Sequence, residues 1–208
     1  MIYDSINDLI GNTPLVRLKN IEKEYNLGCN IYAKLEKQNP AGSIKDRAVS
    51  SMLLDFIDKG KELDGATIIE STSGNTGIAL ACLSNYYKFN AVIVMPSSVS
   101  LQRRELIKAY GAKLLLIDGG ISECMLAANK ILETTPNSFL LSQFSNEANF
   151  RAHFKTAKEI ISDLPQVDYV FAGIGTGGTV TGISKYFYSN SIDAKVVGVE
   201  PLESPFLT

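Results

Sequence analysis

ATIIESTSGNTGIALACLSNYYKFNAVIVMP, residues 66–96, holds two apolar runs, ATIIE (66–70) and NAVIVMP (90–96), separated by a turn rich in glycine and hydroxyls and a longer stretch of helical period at 75–88. Strand, turn, helix, strand is the unit of parallel sheets, because two parallel neighbours need a long crossover between them. The same alternation continues downstream. Strands are predicted at AKLLLI (112–117), SFLLSQF (138–144), VDYVFAGI (167–174) and AKVVGVE (194–200), with helices near 100–110, 121–134, 146–164 and 177–189. The predicted fold class is therefore open, mostly parallel α/β. In such sheets ligands bind beyond the carboxyl ends of the strands, which directs attention to the loops after residues 70, 144 and 174. Upstream the pattern is less regular: a turn at GNTP (11–14), a short strand at NIYAKLE (30–36), a loop at KQNPAGS (37–43) and a helix over 44–60. No repeat, low-complexity tract or linker marks a boundary.

A chain of 208 residues has room for one domain or two small ones. Twenty Lys plus Arg against 22 Asp plus Glu leaves a net charge of −2, and 45% of residues are hydrophobic, as in soluble globular proteins. No basic block offers a footprint for nucleic acid or an anionic membrane, so neither is expected as a partner. No apolar run approaches the roughly 18 residues of a membrane span, and MIYDSINDLI carries acids where a secretory signal needs bases. A cytoplasmic location is expected. Cys29, Cys82 and Cys124 lie far apart with no C-x-x-C spacing, which signals neither a disulfide framework nor a zinc site and leaves buried or inert thiols. No metal is expected. His153, the sole histidine, has no nucleophile motif at hand and is expected to be a surface or internally satisfied residue.

Three segments carry chemistry. In NPAGSIKDR (39–47), Ser43 stands where an N-cap belongs and Asp46 completes a box-like pair, so Lys45 falls in the first helical turn. Cations are disfavoured at that end, and Lys45 shares a helix face with Val49, Met52 and Phe56. Both effects lower a lysine pKa and favour the neutral amine that attacks a carbonyl. The alternative is a lysine snorkelling to solvent. In ESTSGNTG (70–77), Thr72, Ser73, Asn75 and Thr76 surround helix-start amides with polar groups, forming either a pocket for a small anion or an ordinary capped turn. In GIGTGGT (173–179), Gly175, Gly177 and Gly178 permit close backbone approach, with Thr176 and Thr179 adding hydroxyls, as in a phosphate cup. Gly173, Gly175 and Gly178 also satisfy G-x-G-x-x-G, and Glu200 follows about 20 residues later, so a dinucleotide site and an NAD-dependent oxidoreductase remain open on this segment alone. Two anion cups and an activated lysine together match pyridoxal phosphate bound to an amino acid, which has a phosphate, an aldehyde and a carboxylate.

KLEKQNPAGSIKDR, ESTSGNTGIALA, the MP of NAVIVMP with RRELIKAYGA after it, QFSNEAN and GIGTGGTVTG resemble the cysteine synthase (O-acetylserine sulfhydrylase) family, in family order from IGNTPLVRL (10–18) to VGVEP (197–201). The resemblance implies the fold of the tryptophan synthase β subunit, with two open twisted sheets. A small domain would span 46–143, and a large cofactor-binding domain would combine 1–45 with 144–208. It implies that Lys45 binds pyridoxal 5′-phosphate covalently and moves the substrate Cα proton. Asn75 would meet the cofactor ring oxygen, and Gly175, Thr176, Gly177, Gly178 and Thr179 its phosphate. Thr72, Ser73, Gly74, Thr76 and Gln143 would hold the substrate carboxylate. The implied reaction is transferase chemistry, β-replacement giving L-cysteine from O-acetylserine and sulfide through an aminoacrylate. O-Phosphoserine as substrate, cysteine desulfhydration and an inactive remnant are the alternatives. A homodimer and docking of the C-terminal tail of serine acetyltransferase are further implications. The family pattern continues past VGVEP, where this chain has only LESPFLT, so the large domain is expected to be incomplete, with a short sheet and exposed apolar surface.

Overall fold

The computed structural model describes residues 2–203. Its centre is a four-stranded parallel sheet in the order β5–β4–β3–β6, made of β3 (Thr67–Ser71), β4 (Asn90–Pro96), β5 (Lys113–Ile117) and β6 (Ser138–Leu140). Ile69 faces Val92 and Ser71 faces Val94 across β3 and β4. Side chains alternate between faces with the period of two that strands impose. Ile68, Ile93 and Met95 join one core with Val49, Met52 and Leu53 of α2 (Lys45–Asp58) and Leu80 and Leu83 of α3 (Asn75–Tyr87). Ile69, Val92 and Val94 join a second core on the opposite face with Cys124 and Ala128 of α5 (Ile121–Thr134). Burial on both faces is why these strands read as continuous apolar runs. Gly77 lets α3 settle against the sheet, since a Cβ there would stand 2.8 Å from Ile93 and 2.9 Å from Thr72.

The remaining strands form two separate pairs rather than the single second sheet expected. β1 (Leu15–Arg17) runs antiparallel to β2 (Tyr32–Lys34), and β7 (Tyr169–Gly173) runs parallel to β8 (Lys195–Val199). Between them α6 (Ala148–Asp163) and α7 (Gly178–Ser189) bury Ala157, Ile160, Ile183 and Phe187. On the β7–β8 pair, Tyr169 and Phe171 are exposed and stacked with ring centroids 6.1 Å apart, and Val199 is exposed beside them. Among the described residues no helix is long and apolar enough to cross a membrane.

Differences from the sequence reading are local. The strand predicted over 138–144 stops at Leu140, because Ser142 takes a left-handed conformation (φ 59°) and its carbonyl accepts from Ser145 and Asn146 in a turn. Ser43 sits one residue before the assigned cap, Ile44, yet its hydroxyl still accepts from the Lys45 amide at 3.1 Å. Asp46 turns back to accept from the Ala41 amide at 2.5 Å. β1 and α1 (Lys19–Glu24) had no predicted counterpart. Of the cysteines, Cys82 and Cys124 are buried and Cys29 is exposed.

The closest helix contact in the α6–α7 layer is at Gly182, where a Cβ would overlap the Phe150 carbonyl oxygen and stand 2.6 Å from the His153 Cβ. Gly182→Ala is expected to lower unfolding free energy by about 2 kcal/mol, an overpacking cost. Gly175→Ala, whose Cβ meets nothing within 4 Å, should stay within about 0.5 kcal/mol of the parent in the same urea titration. Equal stability of the two variants would contradict the packing described.

Candidate active site

The first turn of α2 is held by a buried cation. The Arg47 guanidinium, 4% exposed, donates through Nε and Nη2 to Glu36 at 2.7 and 2.9 Å and through Nη1 and Nη2 to Glu159 of α6 at 2.8 and 2.7 Å. Lys34 of β2 lies 3.0 Å from Glu159, so two carboxylates face two cations. Such bidentate pairing fixes direction as well as distance. Burial alone would raise the Glu159 pKa, but the hydrogen bonds from Arg47, Asn12 and Lys34 hold it far below the usual carboxylate range. The clamp sets the position of Lys45, two residues earlier. Lys45 is half-buried, with Val49, Met52 and Phe56 buried along its face. Burial depresses its pKa, and the nearby Glu70 charge opposes that shift only in part.

Glu70, the penultimate residue of β3, is 2% exposed. Burial pushes its pKa up to about 7, against hydrogen bonds from Gln143 and Ser142 and the charge of Lys45. Beyond it the 71–77 loop closes on itself, and the Thr72 hydroxyl accepts from the Gly74 amide at 3.1 Å. The Thr76 hydroxyl donates to Gln143 Oε1 at 2.6 Å, and Gln143 Nε2 donates to the Ser71 carbonyl at 3.1 Å. Ser73 and Asn75 are exposed at the rim, where Arg103 donates to the Ser73 carbonyl at 3.3 Å.

The glycine loop follows β7. Gly177 takes φ 77° and caps α7, whose first residue is Gly178. At Gly173 and Gly175 a Cβ would meet nothing within 4 Å, so the turn opens outward. It borders a cavity of about 210 Å³ shared with Gln143, Asn149 and Thr181. Asn149 of α6 reaches across, with Nδ2 donating to the Gln143 carbonyl at 2.7 Å and to Thr176 Oγ1 at 2.9 Å. His153, one turn further along α6, lies 3.3 Å from Thr179 Oγ1 and 3.3 Å from Thr156 Oγ1. It is buried and internally satisfied; burial first, then the charges of Lys45 and Arg47, push its pKa down to about 4. The charge of Lys45 is felt both at His153, which meets Thr179, and at Glu70, near the base of the other loop.

Hydrogen bonds therefore join Thr76, Gln143 and Thr176 through Asn149 and pair Thr179 with His153, Lys45 is half-buried at the start of α2, and Ser73, Asn75 and Gly175 are exposed. Glu70, Arg47, Glu159 and Asn149 were not singled out from sequence. Glu70 carried a signal, an acid closing a buried strand, and Asn149 lies in the QFSNEAN motif. Arg47 closes the NPAGSIKDR segment, whereas Glu159, 112 residues away, carried no signal. The residues fit a phosphate-bearing aldehyde. The fold supplies a half-buried amine of lowered basicity and a glycine turn at a helix start with the hydroxyls of Thr176 and Thr179, the groups that an aldehyde and a phosphate require.

Residues 6–208 match the family described as "Pyridoxal-phosphate dependent enzyme". The chain is 43% identical over its whole length to a protein named cysteine synthase from Flavobacterium sp. and 44% identical to one named cysteine synthase B from Campylobacter jejuni, covering 68% and 69% of their lengths. A crystal structure described as a hydrogen sulfide-producing enzyme from Fusobacterium nucleatum superposes with a TM-score of 0.93 at 39% identity, over 99% of this chain and 69% of that one. The chain thus spans about two thirds of the length of these relatives. With a lysine of lowered basicity, a hydroxyl-rich loop and a glycine loop carried on this fold, and with these matches over its whole length, the chain belongs to the pyridoxal-phosphate-dependent enzyme family and is of the cysteine synthase type.

Proposed function

We propose that this protein carries out β-replacement on an O-activated serine, with O-acetylserine and sulfide as substrates and L-cysteine as product. The observation that carries the reading is Lys45 itself, half-buried in the first turn of α2 with its basicity lowered by burial. Bound pyridoxal phosphate supplies an aldehyde for an amine and a conjugated ring that takes up the electron pair released at the substrate Cα. The chain's own residues do the rest. Lys45 Nζ, its basicity lowered by burial, would hold the cofactor through its aldehyde, and as a free amine it would accept the substrate Cα proton. The amides and hydroxyls of Gly175 through Thr179 take the phosphate at the start of α7, where the helix dipole favours an anion. Asn75, at the start of α3, takes the ring oxygen.

Thr72, Ser73, Gly74, Thr76 and Gln143 take the substrate carboxylate. That requires Gln143 to give up its side-chain bonds to Thr76 and Ser71, both within the 46–143 unit, while its carbonyl stays tied to Asn149 of the remainder. The same machinery run on cysteine as substrate eliminates sulfide, a second reading favoured by the relative described as hydrogen sulfide-producing. In this reading the large domain comprises 1–45 with 144–208, and the chain pairs as a homodimer.

Purified protein mixed with pyridoxal phosphate is expected to absorb in the visible range, and borohydride should attach the cofactor to the peptide containing Lys45. Lys45→Ala should lose this labelling and at least about 10³-fold in turnover, since nucleophile and proton acceptor go together. Labelling at another lysine with Lys45 unmodified would refute the assignment. Adding O-acetylserine and then sulfide, or cysteine alone, separates the two readings by the product released.

Glu70 gives a pH test. Its pKa rises on folding from 4.5 to about 7, so its stabilising contribution is present below the ordinary carboxylate range and is lost as pH rises through about 7. Glu70→Gln should therefore gain stability relative to the parent as pH goes from 5 to 8, by an amount on the order of a few kcal/mol. Parallel urea midpoints across that range would show that Glu70 is not buried as described.

A further inference from the structure

The Asn149 side chain is 4% exposed, and its Oδ1 is the buried side-chain atom without a hydrogen-bond partner among the described residues. The orientation of the amide is nevertheless determined. Its Nδ2 lies 2.7 Å from the Gln143 carbonyl oxygen, which can only accept, so turning the amide over would set two acceptors against each other. The second Nδ2 proton goes to Thr176 Oγ1 at 2.9 Å. The Gly178 amide also donates to Thr176 Oγ1, at 3.4 Å. A hydroxyl oxygen has two lone pairs and one proton. With both lone pairs taken by donors, the Thr176 proton is left to point elsewhere, and Thr176 borders the cavity at the start of α7. Gly178 makes this possible, because a Cβ there would overlap Asn149 Oδ1.

We infer that Asn149 is a positioning residue that turns Thr176 into an obligate donor toward a phosphate in the glycine loop. Through its other amide proton it ties that loop to the backbone of Gln143. The inference rests on the proposed function, in which the loop takes the cofactor phosphate. The orphaned Oδ1 is the consequence of committing both amide protons as donors. An acid of the same shape cannot do this: in Asn149→Asp both oxygens accept, Thr176 must turn its proton toward the carboxylate, and the cup loses its donor and gains a nearby negative charge.

The test compares affinities of the full chain for pyridoxal 5′-phosphate and for pyridoxal, which lacks the phosphate but keeps the aldehyde. The parent should prefer the phosphate ester. Asn149→Ala and Thr176→Val should each reduce that preference about tenfold, the loss of one charge-assisted hydrogen bond, while pyridoxal affinity stays unchanged. The double variant should lose no more than Thr176→Val alone, because Asn149 acts through the hydroxyl. Thr176→Ser should keep the preference and its dependence on Asn149. Asn149→Asp should lose more than Asn149→Ala. Where Asn149→Ala folds poorly, the Thr176→Val and Thr176→Ser comparison, together with Asn149→Asp, carries the test. Equal loss for pyridoxal and its phosphate in Asn149→Ala, or additive losses in the double variant, would overturn the role given to Asn149. A parent that shows no preference would overturn the phosphate cup itself, and with it this inference.

Discussion

A buried guanidinium gripped by two carboxylates fixes the geometry on which the site depends. Arg47 is attached to the first turn of α2, Glu36 to the segment after β2 and Glu159 to α6, so one ion cluster joins three elements distant in sequence. With Lys34 present the cluster is balanced, two cations against two carboxylates. Taking one partner away would leave a charge buried and uncompensated, which typically costs about 3–5 kcal/mol. What the cluster provides is direction. Helix α2 cannot rotate or slide without breaking bidentate bonds, so Lys45 is held where burial lowers its basicity and where it adjoins Glu70 and His153. Burial above all, with the charge of Arg47 adding to it, keeps His153 neutral beside Thr179.

The second constraint is the polar bridge between two loops that belong to different sheets. Thr76, Gln143, Asn149 and Thr176 form a continuous chain of hydrogen bonds from the end of β3 to the end of β7. Both ends lie beyond strand carboxyl termini, where open α/β sheets place their ligands. The turn at 142–147 makes the bridge, bending the chain out of β6 so that Gln143 faces the 71–77 loop and α6 starts beneath the glycine loop.

Much of this was legible in the sequence, and the limits have physical causes. NAVIVMP and the helix over 121–134 were readable to the residue, because long runs of one period leave little room for alternatives. SFLLSQF was read as strand throughout because its apolar residues continue to Leu141, and nothing local marks Ser142 as left-handed. β1 has three residues and α1 six, too short for any period to show. Lys45 was visible because a cation at a helix start breaks a local rule. Glu159 breaks none; its meaning comes only from an arginine 112 residues away. Asn149 lay inside a recognised motif, but its role depends on which of its amide atoms faces which loop, and that is tertiary information.

Competitive labelling of every lysine with trace acetic anhydride across a pH series, read by mass spectrometry on the chain freed of cofactor, reports the basicity of each amine directly. The expected result is that Lys45 titrates at lower pH than the exposed lysines of the same chain, and that Arg47→Met brings it back toward them. A Lys45 that titrates together with the surface lysines in the parent protein would contradict the central claim that the fold lowers the basicity of this amine.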